Sequence, residues 1–212
     1  MKRCLLIMMV LLSLSSLAAD PINVFRFGFL APKDVYTGTI AGYCYGSTFD
    51  NTVTLFTSGD LFYRNYTKQK KIGYYEIANS GTHVATYLKT ADISTYYIPL
   101  FLNGQVNIPM QDKFRIYCGG GFGFGLLWED VFVAADPEHM AVDETKFFSG
   151  FNWNLRSGVR YPLSRHTALI GELFYNSGRM RRDILETPVG ITWHEINMDG
   201  IGLRVGLEVP AF

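Results

Sequence analysis

The sequence predicts an all-β fold, an eight-stranded antiparallel up-and-down transmembrane β-barrel with long extracellular loops and short periplasmic turns. Three observations predict it. Polar and apolar residues alternate with a period of two over many stretches, most clearly over residues 113–129. Aromatic residues make up 15% of the chain, which also contains 21 glycines. After residue 19, no apolar run approaches the roughly 20 residues that a membrane-spanning helix needs.

The first 19 residues have the features of a secretory signal peptide. Lys2 and Arg3 are followed by an apolar core, Leu5 to Leu14, which is too short to cross a bilayer as a helix. The short core disfavours the alternative of a membrane anchor. Residues 1–19 are therefore expected to be removed and residues 20–212 to form the barrel domain, exported to the bacterial cell outer membrane.

Charge and cysteine content exclude some function classes. The chain has 19 basic and 19 acidic residues, and this balance provides no basic surface for nucleic acid. Cys4 leaves with the signal peptide. The remaining pair, Cys44 and Cys118, is too few and too far apart in sequence for a disulfide framework. Both are predicted to be small apolar strand residues, with a disulfide as the disfavoured alternative.

The alternating stretches divide the chain into about eight strands. Their predicted bounds are 23–31, 38–48, 53–66, 93–108, 113–129, 146–161, 166–176 and 193–209. The polar stretches 67–92, 130–145 and 177–192 are predicted as long loops, the first with room for a short hairpin. From the third strand onward, long and short connections alternate, as they do in bacterial outer-membrane barrels. The first connection, near 32–37, is short for an outer loop, and the parity of the second strand is ambiguous.

The strand at 113–129 shows how the two faces differ. One row contains Phe114, Ile116, Phe122, Phe124 and other apolar residues, whereas the opposite row is glycine-rich and charged at its ends. A soluble sandwich, such as a lipocalin-like protein, would bury the apolar row. A membrane barrel exposes it to lipid and turns the small and polar row inward.

The positions of the strand charges favour the membrane barrel. They lie opposite the apolar row, among glycines and asparagines, where an eight-stranded barrel has just enough room for side chains. Opposite charges would pair across that space, because an unpaired buried charge is costly. The predicted interior charge network consists of Arg26, Asp60, Arg64, Arg115, Arg156, Arg160, Glu172, Arg204 and Glu208.

Several segments resemble the small OmpA/OmpX/OmpW-type outer-membrane barrels. They are YYIPLFLNGQVNIP, DKFRIYCGGGFGFGL, FSGFNWNLRSGVRYPLSRHTALIGELFYNSG and GIGLRVGLEVPAF, within residues 93–212. The chain ends in Phe212, as the assembly signal of such barrels often does, although Pro210 interrupts the last alternation. The resemblance implies contact with outer-membrane lipid and lipopolysaccharide, and with the barrel-assembly machinery during insertion. It identifies no extracellular ligand.

No pattern in the sequence predicts catalysis, a cofactor or a metal site. Gly119–Gly125 alternates with phenylalanines inside one strand and does not turn into a helix, so it is not a nucleotide-binding loop. His166 and Thr167 would point to opposite faces of a strand and could not act together as base and nucleophile with Glu172 nearby.

We therefore expect a structural or binding role, with the barrel interior closed by side chains. The first alternative is a narrow channel for small or hydrophobic molecules, which the OmpW-like resemblance implies. The second alternative is an outer-membrane lipid-modifying enzyme. The basic stretches at 68–71 and 179–182 are either contacts for lipid A phosphates or a ligand, or simply solvated loops.

Overall fold

In the part of the chain that the structure describes, the alternating stretches form nine β segments, all paired antiparallel. The structure, a computed structural model, describes residues 20–49, 52–76, 83–110, 114–135, 141–164, 167–187 and 190–210. The predicted signal peptide and Phe212 lie outside this part of the chain. The segments are β1 (Asp20–Pro32), β2 (Gly38–Phe49), β3 (Val53–Glu76), β4 (His83–Met110), β5 (Phe114–Val133), β6 (Val142–Pro162), β7 (Ala168–Thr187), β8 (Gly190–Asn197) and β9 (Gly200–Pro210). Within the described ranges, no helix is long and apolar enough to cross a membrane.

Backbone pairing closes the sheet on itself. Each segment from β1 to β7 pairs with the next, and β9 pairs with both β7 and β1. The segments β8 and β9 follow β7 in one register, because Arg179 pairs with Asn197 and Asn176 pairs with Gly200. They are two parts of one wall strand, interrupted at Met198 and Asp199. The predicted eight-stranded up-and-down barrel is therefore confirmed.

Two of the predicted loops, 67–92 and 177–192, are largely strand, the first far beyond the short hairpin expected there, so those predictions were wrong. β3 continues to Glu76, β4 begins at His83, and β7 continues to Thr187. The loop predicted at 130–145 is also shortened at both ends, to the gap between β5 and β6. In an antiparallel ribbon the two backbones satisfy each other's hydrogen bonds. Such a ribbon can therefore continue where neither face is buried, and the sequence then needs no period-two signal.

The apolar row of each strand faces outward. Phe25, Phe27 and Phe29 are 54–55% exposed, whereas Arg26 between them is 6% exposed. The sequence left open which row of β2 faces inward. Tyr43 is exposed and Cys44 is buried, so the row that contains the tyrosines faces outward. Both described cysteines are free, as predicted, with Cys118 exposed on the outer face. An apolar exterior around a polar interior is the arrangement of a barrel in lipid.

Aromatic side chains form bands near the two rims. Toward the long-loop rim, Tyr63, Tyr96, Trp128 and Phe147 are successive partners across β3 to β6. Their ring centroids lie 5.1 Å apart for the tyrosine pair and 5.4 Å apart for Trp128 and Phe147. At the short-turn rim, Phe114 packs 5.2 Å from the Tyr161 ring. Bands of this kind mark the interfaces of the membrane.

The interior is filled in layers. A long-loop apolar cluster occupies the half nearer the long loops and consists of Leu30, Ile40, Phe62, Tyr97, Leu127, Phe148, Phe174, Met180 and Met198. A smaller short-turn apolar cluster consists of Val24, Cys44, Phe56, Tyr117 and Ile170. The inward residues between these clusters include five buried charges, which form the candidate site.

Candidate functional site

Five of the nine predicted charges meet halfway along the barrel. This charged belt consists of Arg26, Asp60, Arg156, Glu172 and Arg204, each only 4–6% exposed. The residues come from β1, β3, β6, β7 and β9, so the belt joins wall strands that are distant in sequence. Successive side chains of a strand point to opposite faces, and the neighbours of these five residues along their strands face outward. All five side chains therefore point inward. The belt is thus the centre of the predicted interior network.

Both oxygens of each belt carboxylate accept a hydrogen bond. Asp60 accepts a hydrogen bond from Arg26 Nη2 at 2.9 Å and another from Arg204 Nη1 at 2.9 Å. Glu172 Oε1 accepts from Arg204 Nε at 2.6 Å. The hydroxyl of Tyr117 donates to Glu172 Oε2 at 3.0 Å. Charge-assisted hydrogen bonds between such groups offset part of the cost of burying them.

Arg156 is the least satisfied member of the belt. Its Nη1 lies 3.9 Å from Glu172 Oε2, which is beyond a hydrogen bond. Its Nε and Nη2 have no hydrogen-bond partner among the described residues. The guanidinium instead stacks over the Phe56 ring, with Cζ 4.0 Å from the ring centroid. With three arginines and two carboxylates, the belt has one positive charge in excess.

The other four predicted charges lie away from the belt. Arg160 binds Glu208 through two hydrogen bonds near the short-turn rim, one of them from Nε to Oε2 at 3.0 Å. Arg115 is half-buried and lies directly opposite Arg160 in the β5–β6 ladder. Arg64 is at the other end of the barrel, with its guanidinium 5.9 Å from the Tyr36 ring centroid. The nine residues therefore form a belt, a rim group and one separate arginine.

A cavity of about 300 Å³ lies between the belt and the short-turn rim. Pro21 and Pro210 line it near the rim, and Arg26, Arg156 and Glu172 line its inner part. Beyond the belt, the long-loop apolar cluster fills the interior. Tyr117 also lines the cavity. The sequence analysis did not select it, although the alternation of residues already places it on the inward row of β5.

Space for the belt depends on glycine in the neighbouring strands. Gly42 pairs with Arg26 on one side and with Asp60 on the other. A Cβ at this position would overlap Oδ1 and Cγ of Asp60. The Arg26–Asp60 pair can therefore form across β2 only because this residue has no side chain.

We expect the substitution Gly42→Ala to destabilise the folded barrel by about 1–3 kcal/mol, because the new methyl group displaces the Asp60 carboxylate. Urea unfolding in lipid vesicles measures the effect. The matched control is Gly104→Ala on the outer wall, where a Cβ would come no closer than 3.7 Å to Leu55 Cδ2. Equal stability of the two variants would contradict the assigned role of Gly42.

The residues considered for hydrolysis do not form a described site. His166 lies outside the described residues. Thr167 belongs to the turn after β6, where its backbone N–H donates to Ser164 Oγ at 3.1 Å. Glu172 is buried in the belt and already paired with arginine. Within the described ranges, no group of histidine, cysteine and acidic residues is arranged to hold a metal ion.

The basic stretches lie on the extended ribbons. Residues 68–71 belong to the exposed part of β3, beyond the aromatic band. On β7, Arg179 and Arg181 both approach Glu195 of β8, at 3.7 Å and 2.7 Å. These exposed ion pairs are weak and screened by salt. They leave the arginines accessible at the outer surface.

Comparison with known proteins supports the fold assignment. The sequence matches no protein-family model and no curated protein. Among solved structures, the chain resembles Neisserial surface protein A (NspA), with a TM-score of 0.54 and 13% identity over 92% of this chain and 98% of that one. It also resembles the outer membrane protein OprG from Pseudomonas aeruginosa, with a TM-score of 0.51 and 14% identity over 90% and 95% of the two chains. The structure thus has the fold of the small outer-membrane β-barrels, as the OmpA/OmpX/OmpW-like resemblance implied.

Proposed function

We propose that this protein is a bacterial outer-membrane barrel with a structural or binding role and no catalytic activity, and that its interior is closed to solutes. One observation carries the proposal: two consecutive layers of side chains cross the same interior. The charged belt is one layer, and the long-loop apolar cluster is the other. Leu30, Phe62, Tyr97, Leu127 and Met198 in that cluster have no exposed surface.

The physical argument concerns the cost of opening such an interior. A wall of eight strands encloses little more space than its own inward side chains occupy. To admit water or ions along the axis, the belt would have to lose contacts such as those between Arg204 and both carboxylates. Breaking one partner from a buried ion pair is strongly unfavourable. A closed resting state is therefore favoured over a permanent axial pore.

A binding role is supported by the ribbons at the long-loop side. β3 and β4 extend well past the aromatic band, and so do β7 and β8. These ribbons expose Tyr87, Leu88 and Trp193 together with basic residues. Aromatic and arginine side chains are common anchors at protein interfaces. We propose that the ribbons contact lipopolysaccharide or an extracellular ligand, while the barrel anchors them.

The experiment is conductance in planar bilayers, combined with swelling of liposomes that contain the refolded protein. We expect no steady ion current and no sugar-dependent swelling, whereas an open porin reconstituted in parallel gives both. A steady current would contradict the closed interior. Uptake of a small apolar dye without current would instead favour the narrow hydrophobic channel. Release of acyl chains from added lipid A would favour the lipid-modifying enzyme.

A further inference from the structure

The cavity below the belt is lined by a buried cation that the chain satisfies only in part, through Glu172 and the Phe56 ring. Arg156 is 4% exposed and lines the inner part of the cavity, yet its Nε and Nη2 have no partner among the described residues. In a planar guanidinium, Nε and Nη2 present their N–H groups along one edge. This edge can hold two oxygens of a single carboxylate, phosphate or sulfate group at once.

No described carboxylate is free to fill that position. Both oxygens of Glu172 already accept hydrogen bonds, from Arg204 and from Tyr117. Glu208 lines the cavity too, but it is bound to Arg160 by two hydrogen bonds. The Nε–Nη2 edge of Arg156 is therefore left without a carboxylate acceptor among the described residues.

The net charge around the cavity also favours a bound anion. The belt and the rim group together contain five arginines and three carboxylates, an excess of two positive charges. They are Arg26, Arg115, Arg156, Arg160, Arg204, Asp60, Glu172 and Glu208. Arg115 and Arg160 are directly opposite each other in the β5–β6 ladder, an unfavourable arrangement of like charges that Glu208 offsets only on the Arg160 side.

We propose that this cavity binds one small oxyanion of the phosphate or sulfate class, and that a small turn of the Arg156 side chain brings its Nε–Nη2 edge, which has almost no exposed surface, onto the ion. The cavity volume of about 300 Å³ is ample for such an ion with some of its water, since one water occupies roughly 30 Å³ of the liquid. Arg115 lies nearer the rim, four residues along β5 from the Gly119 that pairs with Arg156. It would attract the ion toward the cavity and oppose its escape.

The access route runs from the short-turn rim. Arg115, Arg160 and Pro210 line the cavity and are half-exposed, whereas Arg26 and Arg156 are buried. The ion would thus enter from the periplasmic side and stop at the belt. This inference goes beyond the proposed function, because an anion could occupy the cavity whether or not the barrel also conducts.

The test is calorimetric titration of the refolded mature chain in detergent with inorganic phosphate. We expect one saturable site, with affinity at least tenfold weaker in Arg156→Met. Arg156→Lys should retain part of the affinity, since it keeps the charge but loses the paired N–H edge. The matched control is Arg179→Met, on the exposed ribbon, which should bind phosphate as the natural protein does. Heat-modifiability on a gel verifies that each variant is folded.

Two further arms make the result decisive. Arg115→Gln, at the half-exposed rim, should weaken phosphate binding several-fold even if Arg156→Met does not fold. Glycerol phosphate serves as a surrogate for a lipid headgroup: tighter binding than inorganic phosphate assigns the site to phosphorylated molecules, and weaker binding assigns it to the free ion. The proposal is overturned if no saturable binding occurs, or if the arginine variants at both positions bind phosphate with unchanged affinity.

Discussion

Replacing Glu172 by glutamine is expected to destabilise the folded barrel by about 3–5 kcal/mol. Glu172 accepts hydrogen bonds from Arg204 and Tyr117, and it lies 3.7 Å from Arg26 Nη1. Without its charge, three buried guanidinium groups would share the single carboxylate of Asp60. Removing one partner from a buried ionic network costs this much because the remaining charge cannot be solvated. Equilibrium unfolding by urea in lipid vesicles provides the measurement.

The control for this prediction is an exposed carboxylate that also pairs with arginine. Glu195→Gln removes the negative charge of the carboxylate whose Oε2 lies 2.7 Å from Arg181 Nε on the outer ribbon, and we expect it to change the free energy of unfolding by less than about 1 kcal/mol. A double variant, Glu172→Gln with Arg204→Met, should recover part of the lost stability, because it removes one of the buried arginines that would otherwise share the single carboxylate of Asp60. If Glu172→Gln unfolds at the same urea concentration as the natural protein, the belt does not stabilise this fold.

The sequence predicted the wall of the barrel well because two environments act on alternate residues. Lipid selects apolar side chains outside, as at Phe27 and Leu203, while the narrow interior selects glycine or paired charge, as at Gly42 and Arg204. Both selections repeat with a period of two, so strand identity, parity and the inward position of the charges follow from one pattern. Only β2 was ambiguous, because tyrosine, cysteine and glycine differ little in polarity.

The extended ribbons and the grouping of the charges could not be predicted in the same way. From Thr67 to Lys71 both faces of β3 are exposed, and the alternation that identifies a strand disappears although the backbone pairing continues. The grouping of charges depends on the register between strands that are distant in sequence. The sequence pattern and the structure both place Arg115 and Arg156 on the inward row. The register of the β5–β6 ladder shows that they lie at different levels of the barrel and line the same cavity.

The outward orientation of the apolar rows leads to the second large effect, which is expected for Leu203→Arg. Leu203 is 63% exposed, next along β9 to the belt residue Arg204, and therefore near the middle of the membrane. An arginine on the lipid face at that depth costs about 2–4 kcal/mol. We expect a matching loss in the free energy of unfolding, and a smaller heat-modifiable fraction after refolding into vesicles.

The matched control places the same charge on the outer face, but nearer the edge of the membrane. Val53→Arg is also on the outer face, but at the first residue of β3 beside a short turn, where the same charge should cost only about 0–1 kcal/mol. Gly202→Arg cannot serve as an inward control, because even a Cβ at Gly202 would overlap the Phe174 ring. If Leu203→Arg refolds as well as Val53→Arg, the outer surface at this level does not face hydrocarbon. The assignment of inside and outside, on which the belt and the cavity both depend, would then be wrong.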